Sequence, residues 1–193
     1  MRYENAMFSS DHRNLDNGIV FSIDRYTKPG RAPDKYDENN NPVWSENNYT
    51  EIGKMIHQYK YKNNDTHREE LADILSEYIT HSKELQEGTA LVPCPSARFA
   101  SVVKLAAQKI GINFYDCLRK QKPFSMKEIS RDRRYDYAKL IEYDGSIPDN
   151  EKVILIDDIV ETGATLRGCS EALQKKQANL EIQFLVLART FYN

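Results

Sequence analysis

Hydrophobic and polar positions fall into two regimes that meet near residue 89. Beyond it, short apolar runs alternate with amphipathic stretches. Thr89 to Cys94 reads as a buried strand, and Ala97 to Ile110 sets Val102, Val103, Ala106 and Ile110 at helical spacing, with Gly111 as the stop. Residues 113 to 118 are a further strand candidate. A long polar segment from Arg119 to about Asp144 follows, with helical character near Tyr135 to Glu142. Lys152 to Asp157 is predicted as a strand, Gly163 to about Gln177 as a helix and Glu181 to Leu187 as a closing strand. Strands alternating with helices imply parallel pairing through crossover helices. The expected fold class is therefore α/β, a Rossmann-like open, mainly parallel twisted sheet flanked by helices.

Before residue 89 the pattern is different. Residues 1–49 are polar and irregular, with Asn-rich stretches at Asn39 to Asn41 and at Asn47-Asn48. Two strand candidates interrupt them, Ile19 to Tyr26 and Pro42 to Trp44, with turn signals at Pro29-Gly30 and Asn41-Pro42. This reads as an N-terminal extension carrying a hairpin, ahead of one domain over 50–193. A capping box, Asn48 with Glu51, predicts a short helix with Ile52, Met55 and Ile56 on one face. A second box, Thr66 with Glu69, predicts a longer helix to about His81 with Leu71, Ile74, Leu75 and Tyr78 as its stripe.

Composition narrows the classes. At 193 residues one core is expected, and a net charge of −2 gives no global attraction to nucleic acid. No apolar stretch reaches membrane-spanning length, so no membrane association is expected. Cys94, Cys117 and Cys169 are far apart without metal-ligand spacing, and no export signal is visible, so reduced thiols and a cytoplasmic location are expected. The four histidines form no ligand cluster and are expected at the surface.

Chemistry concentrates in residues 153 to 166. Four apolar residues deliver Asp157 and Asp158, then, after Ile159 and Val160, Glu161 and the loop Thr162-Gly163-Ala164-Thr165, where a helical pattern begins. Free amides and the positive dipole end of a helix N-terminus attract phosphate. Gly163 allows close backbone approach, and the hydroxyls of Thr162 and Thr165 are further donors. The acids upstream suit ribose hydroxyls or a hydrated Mg2+. Adjacent residues of a regular strand point to opposite faces, so both acids serve one ligand only if the strand ends and bends there. A P-loop is excluded: Gly163 and Gly168 have its spacing, but Cys169 stands where lysine would bind phosphate.

Two further constellations support an anionic ligand. Pro93-Cys94-Pro95-Ser96-Ala97-Arg98 lies between a strand and a helix, and Ser96 and Arg98 could donate to a diphosphate. Cys94 has no partner base and is not taken as a nucleophile. Between residues 119 and 136 lie Arg119, Lys120, Lys122, Lys127, Arg131, Arg133 and Arg134, opposed only by Glu128, Asp132 and Asp136, a local charge of +4. Such a loop suits a lid over a diphosphate. A solvated basic face, or a single-stranded nucleic-acid patch in which Phe124, Tyr135 and Tyr137 stack on bases, is the alternative reading.

The run from 153 to 166 resembles the 5-phosphoribosyl-1-pyrophosphate (PRPP) signature of type I phosphoribosyltransferases. That resemblance implies a 5-phosphate site at Thr162, Gly163, Ala164 and Thr165, ribose hydroxyls on Asp157 and Asp158, and pyrophosphate at Ser96, Ala97 and Arg98. It also implies a flexible hood over about 119–136 with Arg131, Arg133 and Arg134, and Mg2+ entering with PRPP near Asp157 and Asp158 without direct protein ligation. By the same resemblance Glu161 would assist catalysis as a proton acceptor near a nitrogenous acceptor, as an acid at this position does in purine-specific relatives. Gln58-Tyr59-Lys60-Tyr61-Lys62, Val92-Pro93-x-Pro95, Leu118-Arg119 and Leu187-Ala188-Arg189 occur in the order seen in the ComF-like branch, linked to competence and DNA uptake. Two departures stand out: that branch's cysteine zinc module is replaced by the Asn-rich segment, and Arg98-Phe99-Ala100-Ser101 stands where Arg-Gly-Phe-Asn-Gln is expected. The resemblance thus implies phosphoribosyl transfer with pyrophosphate release. A silent PRPP sensor and a nucleic-acid-associated protein of an uptake or defence-like system are the alternatives, and a homo-oligomer is compatible with all three.

Overall fold

A computed structural model describes residues 13–15, 18–38, 42–85, 87–145, 147–149 and 151–190. The Asn-rich stretch at 39–41 lies outside them. In chain order come strands β1 (Arg13–Leu15), β2 (Gly18–Arg25), β3 (Lys35–Tyr36) and β4 (Pro42–Val43), then helices α1 (Glu51–Tyr61) and α2 (His67–His81). Next are β5 (Ala90–Pro93), α3 (Ala97–Ile110), β6 (Asn113–Phe114), β7 (Leu118–Lys120), α4 (Arg134–Ala138) and β8 (Ile141–Tyr143). The chain closes with β9 (Lys152–Val160), α5 (Ala164–Lys176) and β10 (Glu181–Arg189).

The main sheet has the order β1-β2-β10-β9-β5-β6; every neighbour is parallel except β1, which is antiparallel to β2. From β5 the chain crosses through α3 to β6 on one side, and from β9 it crosses through α5 to β10 on the other. The direction therefore reverses between β5 and β9, and right-handed crossovers put α3 and α5 on opposite faces. The crevice beyond the carboxyl ends of these two strands is where an open α/β sheet binds ligands.

Each face has its own core. Ile154, Ile156, Leu185, Phe21 and Ile23 pack with α1, α2 and α3. Val153, Leu155, Phe184, Val186 and Val20 pack with α5 and the β7–β8 ribbon. Burial on both faces explains why these strands read as continuous apolar runs.

Several expectations change. The strand at 18–25, expected in an N-terminal hairpin with Pro42 to Trp44, instead pairs in parallel with β10, while β4 pairs with β3. The reason is burial: Val20, Phe21 and Ile23 each bury a side chain in one of the two cores, which a surface hairpin could not provide. α1 is capped by Thr50, whose Oγ1 accepts the Gly53 amide at 3.0 Å, not by Asn48, which belongs to a 3-10 turn. α2 begins as expected, but the Thr66 hydroxyl donates to Asn64 Oδ1 instead of closing a capping box. Ile141 and Glu142, at the end of the helical stretch expected over Tyr135 to Glu142, instead belong to β8, which pairs with β7 across the base of the cationic segment. The strand expected to end at Asp157 continues to Val160.

Candidate functional site

One cavity of about 390 Å³ opens at the switch between β5 and β9. Its lining includes Asp157 and Asp158 from β9, Glu161 and the loop Thr162, Gly163, Ala164 and Thr165, and Cys94, Pro95 and Ser96 after β5. The opposite wall comes from Tyr26, Trp44, Tyr49, His57, Lys60 and Tyr61, and from Lys120, Phe124, Lys127 and Arg134.

The loop after β9 is built for an anion. Gly163 takes the left-handed conformation at φ 80° just before α5, a region that disfavours side chains. The Thr162 hydroxyl lies 3.3 Å from the Ala164 amide, and no side chain caps α5. Thr162, Gly163, Ala164 and Thr165 all line the crevice, so the start of α5 and its positive dipole end border it.

The acid pair stays within a regular strand. Leu155 belongs to the α5-side core and Ile156 to the α1-side core, so alternation sends Asp157 toward the former and Asp158 toward the latter. Asp157 Oδ1 accepts the Asp158 amide at 2.9 Å. Burial, with the Asp158 charge beside it, pushes Asp157 up to about 7. Asp158 accepts the Ile159 amide and the ammonium of Lys60, at 2.8 Å to Oδ1 and 2.6 Å to Oδ2. Burial, the largest single influence, would lower the Lys60 pKa, but the charges of Asp158, Tyr61 and Asp157 and the hydrogen bond to Asp158 together raise it. Lys120, which donates to the Phe124 carbonyl at 2.8 Å, is lowered by burial and by the charge of Lys60.

Other site candidates are placed differently. Ser96 faces the cavity and Ala97 is exposed, but Arg98 is not among the cavity-lining residues. Its guanidinium binds Asn63 Oδ1 at 3.0 Å and Asp65 Oδ1 at 2.6 Å, and lies 4.5 Å from the Tyr59 ring centre. Glu161 is held by Arg131 at 2.7 Å and by buried Arg134 at 2.6 Å. Arg133 instead lies against the Tyr137 ring, 5.7 Å from its centre. Phe124 and Tyr137 meet edge to face, and Tyr135 contacts Arg167 and donates to Glu171. These rings pack the 119–136 segment against itself and α5.

Lys60 and the aromatic wall were absent from the sequence-based site. Tyr26, Tyr49, His57 and Tyr61 form a row of neighbouring rings with centre separations of 4.9, 4.8 and 5.3 Å. His57, expected at the surface, is half-buried in this row, and burial lowers its pKa. Only the run Gln58 to Lys62, itself quoted for the ComF-like resemblance, pointed toward this wall. All three cysteines are buried free thiols, and burial raises Cys94, as befits a structural residue. Among the described residues, no cluster of three or more His, Cys, Asp or Glu side chains could hold a metal ion, and no helix is long and apolar enough to cross a membrane.

None of the curated proteins matches the sequence. Among solved structures, orotate phosphoribosyltransferase from Aeropyrum pernix is 15% identical, with 82% of this chain and 74% of that one covered and a TM-score of 0.49. Adenine phosphoribosyltransferase from Leishmania donovani is 12% identical, covering 92% and 86%, with a TM-score of 0.48. UMP synthase of Leishmania donovani is 16% identical with a TM-score of 0.48; 82% of this chain is covered, but only 28% of that longer protein. The family model described as phosphoribosyl transferase domain matches residues 70–190, more than half of the chain. The chain belongs to the phosphoribosyl transferase domain family.

Proposed function

We propose that the protein transfers a 5-phosphoribosyl group from PRPP to a nitrogenous acceptor, a nucleobase or a related heterocycle, with release of pyrophosphate. The carrying observation is that Asp157, Asp158, Ser96 and the Thr162 to Thr165 loop line one cavity at the sheet's switch point. In this reading the 5-phosphate lies on the amides and hydroxyls at the start of α5, and the ribose hydroxyls reach the acid pair. The diphosphate extends toward Ser96. The acceptor nitrogen forms its bond to C1 as the C1–O bond breaks, the bonding electrons leave with pyrophosphate, and the acceptor gives up a proton. Positive charge developing on the ribose is stabilised by nearby carboxylate, and the leaving group by cations. Mg2+ carried on the diphosphate would supply charge that neutralises the leaving group, near Asp157 and Asp158.

Glu161 as proton acceptor would first have to leave Arg131 and Arg134. That pairing favours the second reading, a protein that binds PRPP without turnover. Pyrophosphate release from PRPP and Mg2+ over a panel of bases separates the two: release with one acceptor supports the transferase, and saturable PRPP binding with no release across the panel supports the sensor.

Membership of the ComF-like branch is part of this proposal. It is supported by the order of shared runs and by the placement of Tyr61 and Lys60 on the cavity wall. The nucleic-acid reading has less support, since Phe124, Tyr135 and Tyr137 are engaged within the fold. Salt-dependent binding of single-stranded DNA, lost when Arg131, Arg133 and Arg134 are neutralised, would restore it.

A further inference from the structure

Helix α1 ends in Tyr59-Lys60-Tyr61, and these consecutive side chains meet three different parts of the site. Residues one apart on a helix are about 100° apart around it, so three in a row fan over half its circumference. The Tyr59 hydroxyl lies 2.9 Å from the Arg98 carbonyl and 2.9 Å from Ser101 Oγ at the first turn of α3. The Tyr61 ring carries Lys127, from the cationic segment, 4.8 Å from its centre. Between them, Lys60 crosses to Asp158 on β9. The start of the helix is fixed against the end of β2: Thr50 Oγ1 donates to the Arg25 carbonyl at 2.6 Å, and a Cβ on Gly53 would come within 2.0 Å of the Tyr26 carbonyl oxygen.

We infer that Lys60 binds the diphosphate of the phosphoribosyl donor, aimed by Asp158 as a positioning residue, and that Asp157 is the member of the acid pair that holds the ribose. This rests on the PRPP reading above. Four observations support it. The strand sends the two acids to opposite faces, so they have different neighbours. Asp158 is 3% exposed, and Lys60 and the Ile159 amide already occupy its oxygens, whereas Asp157 makes one hydrogen bond, to the Asp158 amide. An ammonium has three donors; two point at Asp158, the Tyr61 ring centre lies 5.7 Å from Nζ, and the Lys60 side chain is 33% exposed at the cavity wall, so the remaining donor, held by no more than a ring contact, is available to a ligand. Finally, Lys60 and Ser96 line the main cavity, while Arg98, the cation expected at a diphosphate, lines only a small recess that it shares with them and is tied to Asn63, Asp65 and the Tyr59 ring.

Lys60 lies outside residues 70–190, so the portion of the chain that defines the family does not contain it. The N-terminal part would thus complete a site whose phosphate and ribose ends are built by the family domain.

Titration calorimetry with three probes tests this: PRPP with Mg2+, inorganic pyrophosphate with Mg2+, and ribose 5-phosphate. Lys60→Met is expected to weaken pyrophosphate and PRPP binding by about tenfold to a hundredfold, the size of one charge-assisted hydrogen bond, while ribose 5-phosphate binding changes less than about twofold. Lys60→Arg should recover most of the pyrophosphate affinity. Asp157→Asn should show the reverse selectivity, losing ribose 5-phosphate and keeping pyrophosphate. Because Lys60→Met leaves a buried carboxylate unpaired, Lys60→Met/Asp158→Asn removes both charges; it should melt cooperatively and show the same selective loss of pyrophosphate. Equal weakening of all three probes, or unchanged pyrophosphate affinity, overturns the inference while leaving the PRPP reading intact. A wild-type protein that binds neither PRPP nor ribose 5-phosphate overturns both.

Discussion

Asp157 and Asp158 are neighbours in sequence and opposites in surroundings. Burial and the Asp158 charge raise Asp157 from 3.8 to about 7, so between those values the folded protein holds the proton more tightly than the unfolded chain. Stability is therefore expected to fall as pH rises from about 4 to about 7 and to level off above, with Asp157→Asn removing that part of the slope. Urea denaturation at closely spaced pH values measures it; an identical profile for the variant would show that Asp157 is not the group responsible. In the proposed function PRPP binding uses the ionised carboxylate, so it should strengthen through the same window. Glu161 belongs to a different arrangement. Two guanidinium groups hold it, one of them buried, so Glu161→Gln should cost about 1–3 kcal/mol of stability by leaving Arg134 short of its charged partner. Denaturation midpoints check this, and an unchanged midpoint would remove the pairing from the account. The acids, the threonines and Gly163 were legible because they are contiguous in sequence. Lys60 was not, because its ion pair joins residues 98 apart. The engagement of Arg98 was equally hidden, since Asn63 and Asp65, which hold it, lie in a separate turn.

At the scale of elements, periodicity carried most of the information. α3 spans Ala97–Ile110 with Gly111 at φ 73°, as its apolar spacing and glycine stop predict. What periodicity leaves open is which partner an element takes. β2 was visible as an apolar run, but only the two cores reveal that it belongs beside β10. The short β7 and β8 strands lie within a polar segment whose alternation is too brief to separate from helix. Caps were misassigned for a local reason: Asn48 and Thr50 both precede the helix with suitable side chains, and only geometry shows that Thr50 takes the Gly53 amide. Thr50→Ala is expected to cost about 1 kcal/mol, against a few tenths for Asn48→Ala, by thermal denaturation. Equal effects would contradict the observed cap. Gly168 marks a tighter constraint, because a Cβ there would come within 2.4 Å of the Ala138 carbonyl oxygen. Gly168→Ala should therefore push α4 from α5 and destabilise by about 1–3 kcal/mol, and a neutral result would mean that the two helices separate freely.

The molecule as a whole joins a family domain at 70–190 to an N-terminal part that supplies two strands of the main sheet, β1 and β2, and one wall of its cavity. A fragment beginning at residue 50, where the sequence placed a boundary, loses β2 and with it Phe21, Ile23 and Tyr26 from the core. Such a fragment is expected to lack a cooperative melting transition; a sharp one would show that 50–193 stands alone as a domain. The two parts meet at the carboxyl ends of β2, β5 and β9, so stability and ligand binding depend on the same junction. The central claim is that the acid pair and the loop after it bind PRPP. Isothermal titration of PRPP with Mg2+ into the wild-type protein and into Asp157→Asn/Asp158→Asn tests it most directly. The account predicts saturable one-site binding by the wild type and its loss in a variant that still melts cooperatively. Absence of binding by the wild type, or equal binding by the variant, would contradict it.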